Sequence, residues 1–462
     1  MALSKDKIEN YLKNTGSDFV VLDINNPKNQ AFSPHAKGAT IFPYYAGYAG
    51  SFAKKTLISM GLSPDSLVID PWNGSGITTQ AAASLGVRAF GCDLNPVMVI
   101  AAKAALWGGE EKDKIARLAS DLVKEANVFD KELLGEEPLE TWFYPSSAGI
   151  IRNIESAINC KFFTPDGYDS LFDSEIINKI DPVAAILYVG LFRSVRKLLL
   201  DFVPTNPTWV KHPKSKTQRK RPSRETIERG FIIEIQALAE STSTPPYSSD
   251  GVEKISIVLG DAKDLPLGDS VADVVLTSPP YCTRIDYAVA TSIELAVLRC
   301  SKERFSAIRR SLMGSSTVER KPSVSSKQWG STCIQFLERL YNHPSQASKT
   351  YYFKTHLQYF SALNESIKEV ARVLRVGGYA ILVVQDSYYK EIRNDIAKIT
   401  VEMAVNQNLK MIQKKDFLKN NSMSVINSRA KKYVEKRETV ETVLVFKLFD
   451  KNDNLLNNLG GK

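Results

Sequence analysis

Ser278-Pro279-Pro280-Tyr281, reached through the apolar run Val274-Val275-Leu276-Thr277, is the stretch whose residue types could do chemistry. The run follows Asp273 and reads as a buried parallel strand. Two prolines lack the backbone N–H that a sheet ladder needs, so the strand stops there in a rigid, kinked loop. In open α/β folds such a loop falls at the carboxyl edge of the sheet, where ligands bind. It offers a hydroxyl, carbonyls of fixed direction and an aromatic face. That set suits a flat heterocycle with an exocyclic amine, whose N–H groups donate to Ser278 Oγ and the Pro279 carbonyl while Tyr281 stacks on the ring. A plain Pro-rich turn is the other reading of this stretch taken alone.

A second constellation lies upstream. Residues 66–69 read as a strand that ends in Asp70-Pro71-Trp72-Asn73-Gly74-Ser75-Gly76-Ile77-Thr78-Thr79, a tight turn opening a helix. Gly74 and Gly76 let the backbone approach a ligand without a Cβ in the way. The helix N-terminus behind them presents N–H groups toward a carboxylate. The strand 87–92 then ends in Asp93, placed to accept from ribose hydroxyls by the logic of dinucleotide folds. A nucleotide-binding dehydrogenase would want Gly-x-Gly-x-x-Gly/Ala, and here Thr79 stands where the third small residue belongs.

In this order, each at a strand end, the two loops resemble those of the DNA amino-methyltransferases, which methylate cytosine N4 or adenine N6 from S-adenosylmethionine. The family's catalytic loop is Asp/Asn/Ser-Pro-Pro-aromatic, as in Ser278–Tyr281. Trp72-Asn73 departs from the usual Phe-Cys or Phe-Ala of its cofactor loop, which concerns side chains near the adenosine. The resemblance implies an α/β, class I methyltransferase (Rossmann-like) fold, mostly parallel and closed by an antiparallel hairpin. It also implies that S-adenosylmethionine meets Phe42, Pro43, Asp70, Trp72, Gly74, Ser75, Gly76, Thr78, Asp93 and Asp261. Ser278, Pro279, Pro280 and Tyr281 become the catalytic residues, acting on a base flipped out of double-stranded DNA.

Ser at the head of the loop is more like the N4-cytosine members, while Asp is commoner among the N6-adenine members, which remain the alternative. An RNA amino-methyltransferase and a non-catalytic DNA-binding subunit are further readings. Intact Gly74, Gly76, Asp93, Ser278 and Tyr281 stand against the last. A companion restriction enzyme or defence-complex subunit is the partner such a protein would have. A C5-cytosine mechanism needs a thiolate directly after a proline, and Cys282 follows Tyr281 instead.

The elements that must position these loops are legible in outline. Residues 1–110 form an N-terminal segment, with a first helix before residue 30, and the cofactor-binding half. Residues 111–253 are a mainly helical insertion, with helical spacing over 112–128, 150–158 and 183–199. Within it, 211–224 is dense in cations and broken by two prolines, and is expected to be an exposed, mobile loop. Lys211, Lys214, Lys216, Arg219, Lys220 and Arg221 are its candidate phosphate contacts, with a solvated linker as the other reading. Residues 254–298 hold a strand at 255–259, Asp261 beside the adenine if the cofactor binds as proposed, and the catalytic loop with Arg284 beyond it.

A second, basic insertion spans 299–351, where Lys302, Arg304, Arg309, Arg310, Arg320, Lys321 and Lys327 surround Trp329. This interleaving suits nucleic acid and suits an ordinary surface loop as well. Residues 352–449 complete the domain. A helix over 359–374 is capped by Gly377-Gly378 and followed by a strand over 379–384; 409–417 and 440–446 pair as the closing hairpin. A disordered tail runs from 450 to 462.

Composition bounds the rest. A chain of 462 residues with 43% hydrophobic and 24% charged residues can bury a large core. The net charge of +9 is clustered, as a polyanion partner would select. Five cysteines without CxxC spacing and four scattered histidines predict a reducing, cytoplasmic setting and no structural metal. The opening residues Met1–Lys5 lead into a polar amphipathic stretch that reads unlike a signal peptide, and no membrane span is expected because no apolar run approaches roughly 18 residues.

Overall fold

The computed structural model describes residues 22–28, 41–42, 47–109, 112–127, 136–163, 170–204, 209–241, 249–282, 285–317, 326–419 and 439–450. The expected first helix, Pro43, Arg284, Arg320, Lys321 and the tail beyond 450 lie outside them. Seven strands make one sheet in the order β3-β2-β1-β4-β5-β9-β8. They are β1 (Leu67–Asp70), β2 (Arg88–Asp93), β3 (Ile255–Leu259), β4 (Ala272–Thr277), β5 (Leu374–Gln385), β8 (Leu409–Lys419) and β9 (Thr439–Leu448). A small ribbon of β6 (Ser387–Tyr389) and β7 (Ile392–Asn394) lies between β5 and β8 in the chain.

The first five strands of the sheet run parallel, and β9 and β8 close it antiparallel. The mostly parallel sheet and closing hairpin of the class I methyltransferase fold are therefore present. Because β1 has β2 on one side and β4 on the other, the strand order reverses at β1/β4. A crevice opens at the carboxyl ends there. The register pairs Ile69 with Val275, which sets Asp70 beside the end of β4 and the start of the catalytic loop.

The helical insertion does not stand apart. Helices Lys112–Ala126, Pro145–Phe162, Pro182–Leu198 and Arg224–Ser241 share one buried cluster with helices Pro96–Ala104 and Ser292–Val297. The sequence reading missed the Arg224–Ser241 helix, although Ile227, Phe231, Ile235 and Leu238 recur at helical spacing and are buried. Buried Arg152 ties the insertion to the stretch after the catalytic loop. It pairs with Glu137 and Glu155 at 2.8 and 2.9 Å and donates to the Val297 and Ala296 carbonyls. Burying such a charge is tolerable because each donor finds an acceptor.

Three expectations change. The basic stretch is anchored rather than mobile: Lys211 N donates to Phe202 O (2.8 Å), Lys220 N to Trp142 O (2.7 Å) and Trp142 Nε1 to Lys211 O (2.9 Å). Trp329 is 3% exposed and packs in the core beneath the second insertion, so it offers no stacking face. The glycine pair is not a helix cap. Helix Phe353–Val373 ends earlier, and Gly377 (φ +83°) and Gly378 lie inside β5 at a register shift against β4.

A Cβ on Gly378 would stand 2.9–3.2 Å from the backbone oxygens of Arg375, Asp273 and Ala272. Backbone cannot give way as a side-chain tip can. Gly378→Ala is therefore expected to cost about 1–3 kcal/mol. Urea denaturation of the variant against wild type checks this, and an unchanged midpoint would mean the bulge relaxes freely.

Candidate active site

The cofactor loop and the catalytic loop meet through Asp70. Thr78 Oγ1 donates to Asp70 Oδ2 and Thr277 Oγ1 to Asp70 Oδ1, both at 2.5 Å, and Trp72 N donates to Oδ1 at 3.2 Å. The Tyr48 hydroxyl lies 2.5 Å from Thr78 Oγ1, 3.1 Å from the Leu276 carbonyl and 3.4 Å from Asp70 Oδ2. Burial pushes the Asp70 carboxyl up to about 6, against the pull of these donors. The sequence reading did not single out Tyr48 or Thr277 for this role; nothing local to either marks it.

Asp93 ends β2 with both oxygens engaged by backbone: Gly74 N at 2.9 Å and Asn95 N at 2.8 Å. A carboxylate oxygen accepts more than one bond, so the side chain is oriented yet retains acceptor capacity. Burial raises its carboxyl to about 6, the two amide bonds lower it, and the nearby Asp70 charge adds to the rise. Gly74 takes φ +48° to turn its amide toward Asp93. Asn73 sits over Gly91, where any Cβ would come within 2.5–2.7 Å of its amide group.

The catalytic loop is held from three sides. Ser278 Oγ donates to the Val383 carbonyl (2.9 Å), Tyr359 OH to Pro280 O (3.0 Å) and Tyr281 N to Tyr287 OH (3.1 Å). Gly314, at φ +78°, passes so close that a Cβ there would lie 2.7 Å from Tyr281 O. With its proton on Val383, the Ser278 hydroxyl faces any ligand as an acceptor. Among the described residues none donates to the Pro279 carbonyl.

One cavity of about 300 Å³ runs between these loops, within the size range of small-molecule sites. Phe42, Asp70, Trp72, Gly74, Ser75, Asp93 and Asp261 line it, as do Ser278, Pro279, Pro280 and Tyr281. Two expected contacts face elsewhere. Thr78 is fully buried on Asp70, and Gly76 is a packing glycine whose Cβ would meet the Ala102 side chain at 2.9 Å. The insertion supplies wall that the sequence did not foretell: Arg196, Leu200 and Val203. Arg196 is fixed by Glu294 at 2.6 and 2.8 Å and by the Ala290 carbonyl.

Of the expected nucleic-acid contacts, Lys220 pairs with Asp201 and Arg221 lies 5.7 Å from the Tyr144 ring centroid. Arg309 is bound to Asp286 (2.7 Å) and Ser316 (2.9 Å). Lys211, Lys214, Lys216 and Arg310 are exposed, and Arg219 is half-buried. None of the five cysteines forms a disulfide, and no described helix is long and apolar enough to cross a membrane.

A mostly parallel α/β sheet with its cavity at the strand-order reversal, flanked by a glycine loop and an acid, defines a nucleotide-type binding fold. A family model for N6/N4 methyltransferases, described as DNA methylase, matches residues 52–104 and 272–457, just over half of the chain. The chain belongs to this family. It is also similar to the Type II methyltransferase M.BsoBI of Geobacillus stearothermophilus, 22% identical over 295 residues. That alignment covers 61% of this chain and 56% of the relative, so the chain spans about half the relative's length.

Among solved structures, a SAM-dependent methyltransferase from Methanosarcina mazei aligns with a TM-score of 0.28 at 9% identity, over 85% of this chain and 98% of that one. A 16S rRNA adenine-N1 methyltransferase from Catenulisporales acidiphilia gives 0.20 at 10% identity, over 44% and 66%.

The family's cofactor is S-adenosylmethionine, and the residues present fit it. Asp93 is an oriented acceptor suited to a ribose diol, Asp261 lies at the end of β3 on the same cavity, and Leu94, Ile285 and Met313 add apolar wall. A ribose acceptor at Asp93 would have to be the carboxylate, present above about pH 6 and lost as pH falls through that value. Cofactor affinity is expected to drop roughly tenfold between pH 7 and pH 5. Calorimetry at both values checks this; Asp93→Asn should bind more weakly at pH 7 and lose Asp93's share of the pH dependence, leaving that of Asp70, whose carboxyl is also raised to about 6.

Proposed function

We propose that this protein methylates an exocyclic amino nitrogen of a base in double-stranded DNA, with cytosine N4 favoured and adenine N6 the alternative. The observation that carries the reading is the convergence of Ser278–Tyr281 with Gly74 and Asp93 on one cavity. Bound there, S-adenosylmethionine supplies a methyl made electrophilic by its sulfonium. The chain's part is to present the nitrogen. In a nucleobase that lone pair is delocalised into the ring. Ser278 Oγ, whose own hydrogen is committed to Val383, accepts a hydrogen bond from one amine N–H and the Pro279 carbonyl one from the other; the nitrogen gives up one proton to solvent as or after it takes the methyl. Holding both protons out of plane favours the pyramidal nitrogen of the transition state. The Pro280 carbonyl is turned to Tyr359, from which it accepts, and its part is to hold the loop.

A duplex base reaches this loop only by flipping, at a cost of a few kcal/mol that stacking on the half-buried Tyr281 offsets. Serine at the head of the loop is what favours cytosine. The setting we infer is restriction-modification or phage defence, with a cognate nuclease or defence subunit as companion, on the likeness to a Type II methyltransferase. Lys211, Lys214 and Lys216 are the phosphate contacts best supported, since they are exposed on an anchored loop. Lys220, Arg221 and Arg309 carry less weight because each is already engaged within the fold.

Mass spectrometry of nucleosides from DNA treated with the enzyme and labelled cofactor tests the reaction and the base together; N4-methylcytosine is expected. N6-methyladenine would transfer the reading to the alternative, and label in RNA alone would overturn DNA as substrate. In single-turnover methylation, Ser278→Ala should lower the rate about threefold to tenfold, the worth of a neutral hydrogen bond. Tyr281→Ala should cost about 1–3 kcal/mol and be partly rescued by a mismatch at the target base. Wild-type rates in both would remove this loop from catalysis.

Replacing Lys211, Lys214 and Lys216 with Ala should reduce the log–log salt slope of DNA affinity by up to about 2–3 units. An unaltered slope returns them to a solvated face.

A further inference from the structure

Residues 22–28 run from the β8 edge of the sheet to the catalytic loop. Leu22 N donates to Gln413 Oε1 (3.1 Å), Gln413 Nε2 donates back to Leu22 O (2.9 Å), and Lys415 Nζ donates to Ile24 O. At the other end Ala49 N donates to Pro27 O at 2.8 Å. The segment is thus pinned on both sides, and it ends at Lys28. Lys28 Nζ donates to the Tyr281 hydroxyl at 3.3 Å and to the Gly47 carbonyl. It also pairs with Glu441 Oε1, on β9, at 3.6 Å.

The chemistry of this trio is directional. Glu441 is 3% exposed, so its carboxylate holds a cation strongly enough to restrict where the lysine points. Other bonds on Tyr281 fix its backbone: the amide goes to Tyr287 OH and the carbonyl faces Gly314. The phenol oxygen, at the ring's far end, is where Lys28 acts on the side chain. A plain surface lysine capping Gly47 would have no reason to sit on that oxygen.

We propose that Lys28, held by Glu441, is a positioning residue that fixes the Tyr281 ring and hence the plane on which the target base stacks. The proposal rests on the reading of Tyr281 as the stacking surface. It also gives the N-terminal segment, which precedes the family match, a part in the reaction.

The test is a double-mutant cycle with a spectroscopic arm. Lys28→Met should lower kcat/KM for DNA about threefold to tenfold, as loss of one hydrogen bond would, while cofactor affinity stays at the wild-type value. Lys28→Arg should restore most of the loss. In a Tyr281→Phe background, which lacks the phenol oxygen, Lys28→Met should cost nothing further; an equal loss in both backgrounds overturns the proposal. Independently of catalysis, 3-fluorotyrosine placed at 281 and followed by fluorine NMR should titrate at higher pH in Lys28→Met than in wild type. A neighbouring ammonium favours the phenolate, and its removal withdraws that help. Identical titration points mean the contact is absent, whatever the activity. If wild type transfers no methyl but the titration shifts, the reaction assigned above fails while the Lys28–Tyr281 contact stands.

Discussion

Asp70 brings four segments of chain to one carboxylate: its own strand end, Thr78 from the helix behind the glycine loop, Thr277 from the end of β4, and Tyr48 from the N-terminal side. A carboxylate removed from water must be repaid in hydrogen bonds, and Asp70 accepts from two threonine hydroxyls and an amide. Thr277 immediately precedes Ser278, so this one group fixes the distance between the Gly74 loop and the Ser-Pro-Pro-Tyr loop. Burial still wins over the donors and lifts its carboxyl to about 6. The junction is therefore held by an ionised acceptor near neutrality and by a weaker one in acid.

The catalytic loop gains its rigidity from parts of the chain that do no chemistry themselves. Tyr359, on a long core helix, holds the Pro280 carbonyl; Tyr287 holds the Tyr281 amide; Val383, in β5, holds the Ser278 proton. Each bond leaves a specific acceptor or face turned toward the cavity. Groups that need not reorganise when a ligand arrives are worth more to a transition state than the same groups on a free loop.

The insertion between β2 and β3 is both scaffold and wall. It fills one side of the sheet with a core shared by the Pro96–Ala104 helix and is bolted to the segment after the catalytic loop through Arg152. Its Arg196, Leu200 and Val203 line the same cavity as Asp93 and Tyr281. Most of this stretch falls outside the family match. The general chemistry and the particular shape of the site thus come from different parts of the chain.

What the sequence determined by itself is what short contiguous runs encode. Strands β1, β3 and β4, the turn at Gly74, the acid at Asp93, the Ser-Pro-Pro-Tyr loop and the closing hairpin all follow from local periodicity, proline chemistry and spacing. The direction of polar side chains was settled only by tertiary structure. Thr78 and Gly76 belong to the right motif, but one turns into Asp70 and the other packs on Ala102. Gly377-Gly378 looks like a helix cap until β4 approaches and requires a bulge without side chains. Trp329 sits among cations in sequence and in the core in space, and Lys28 meets Tyr281 from far away along the chain. The reason is physical: a residue's propensity is local, whereas its hydrogen-bond partner and its burial are set by whichever segment the fold brings against it.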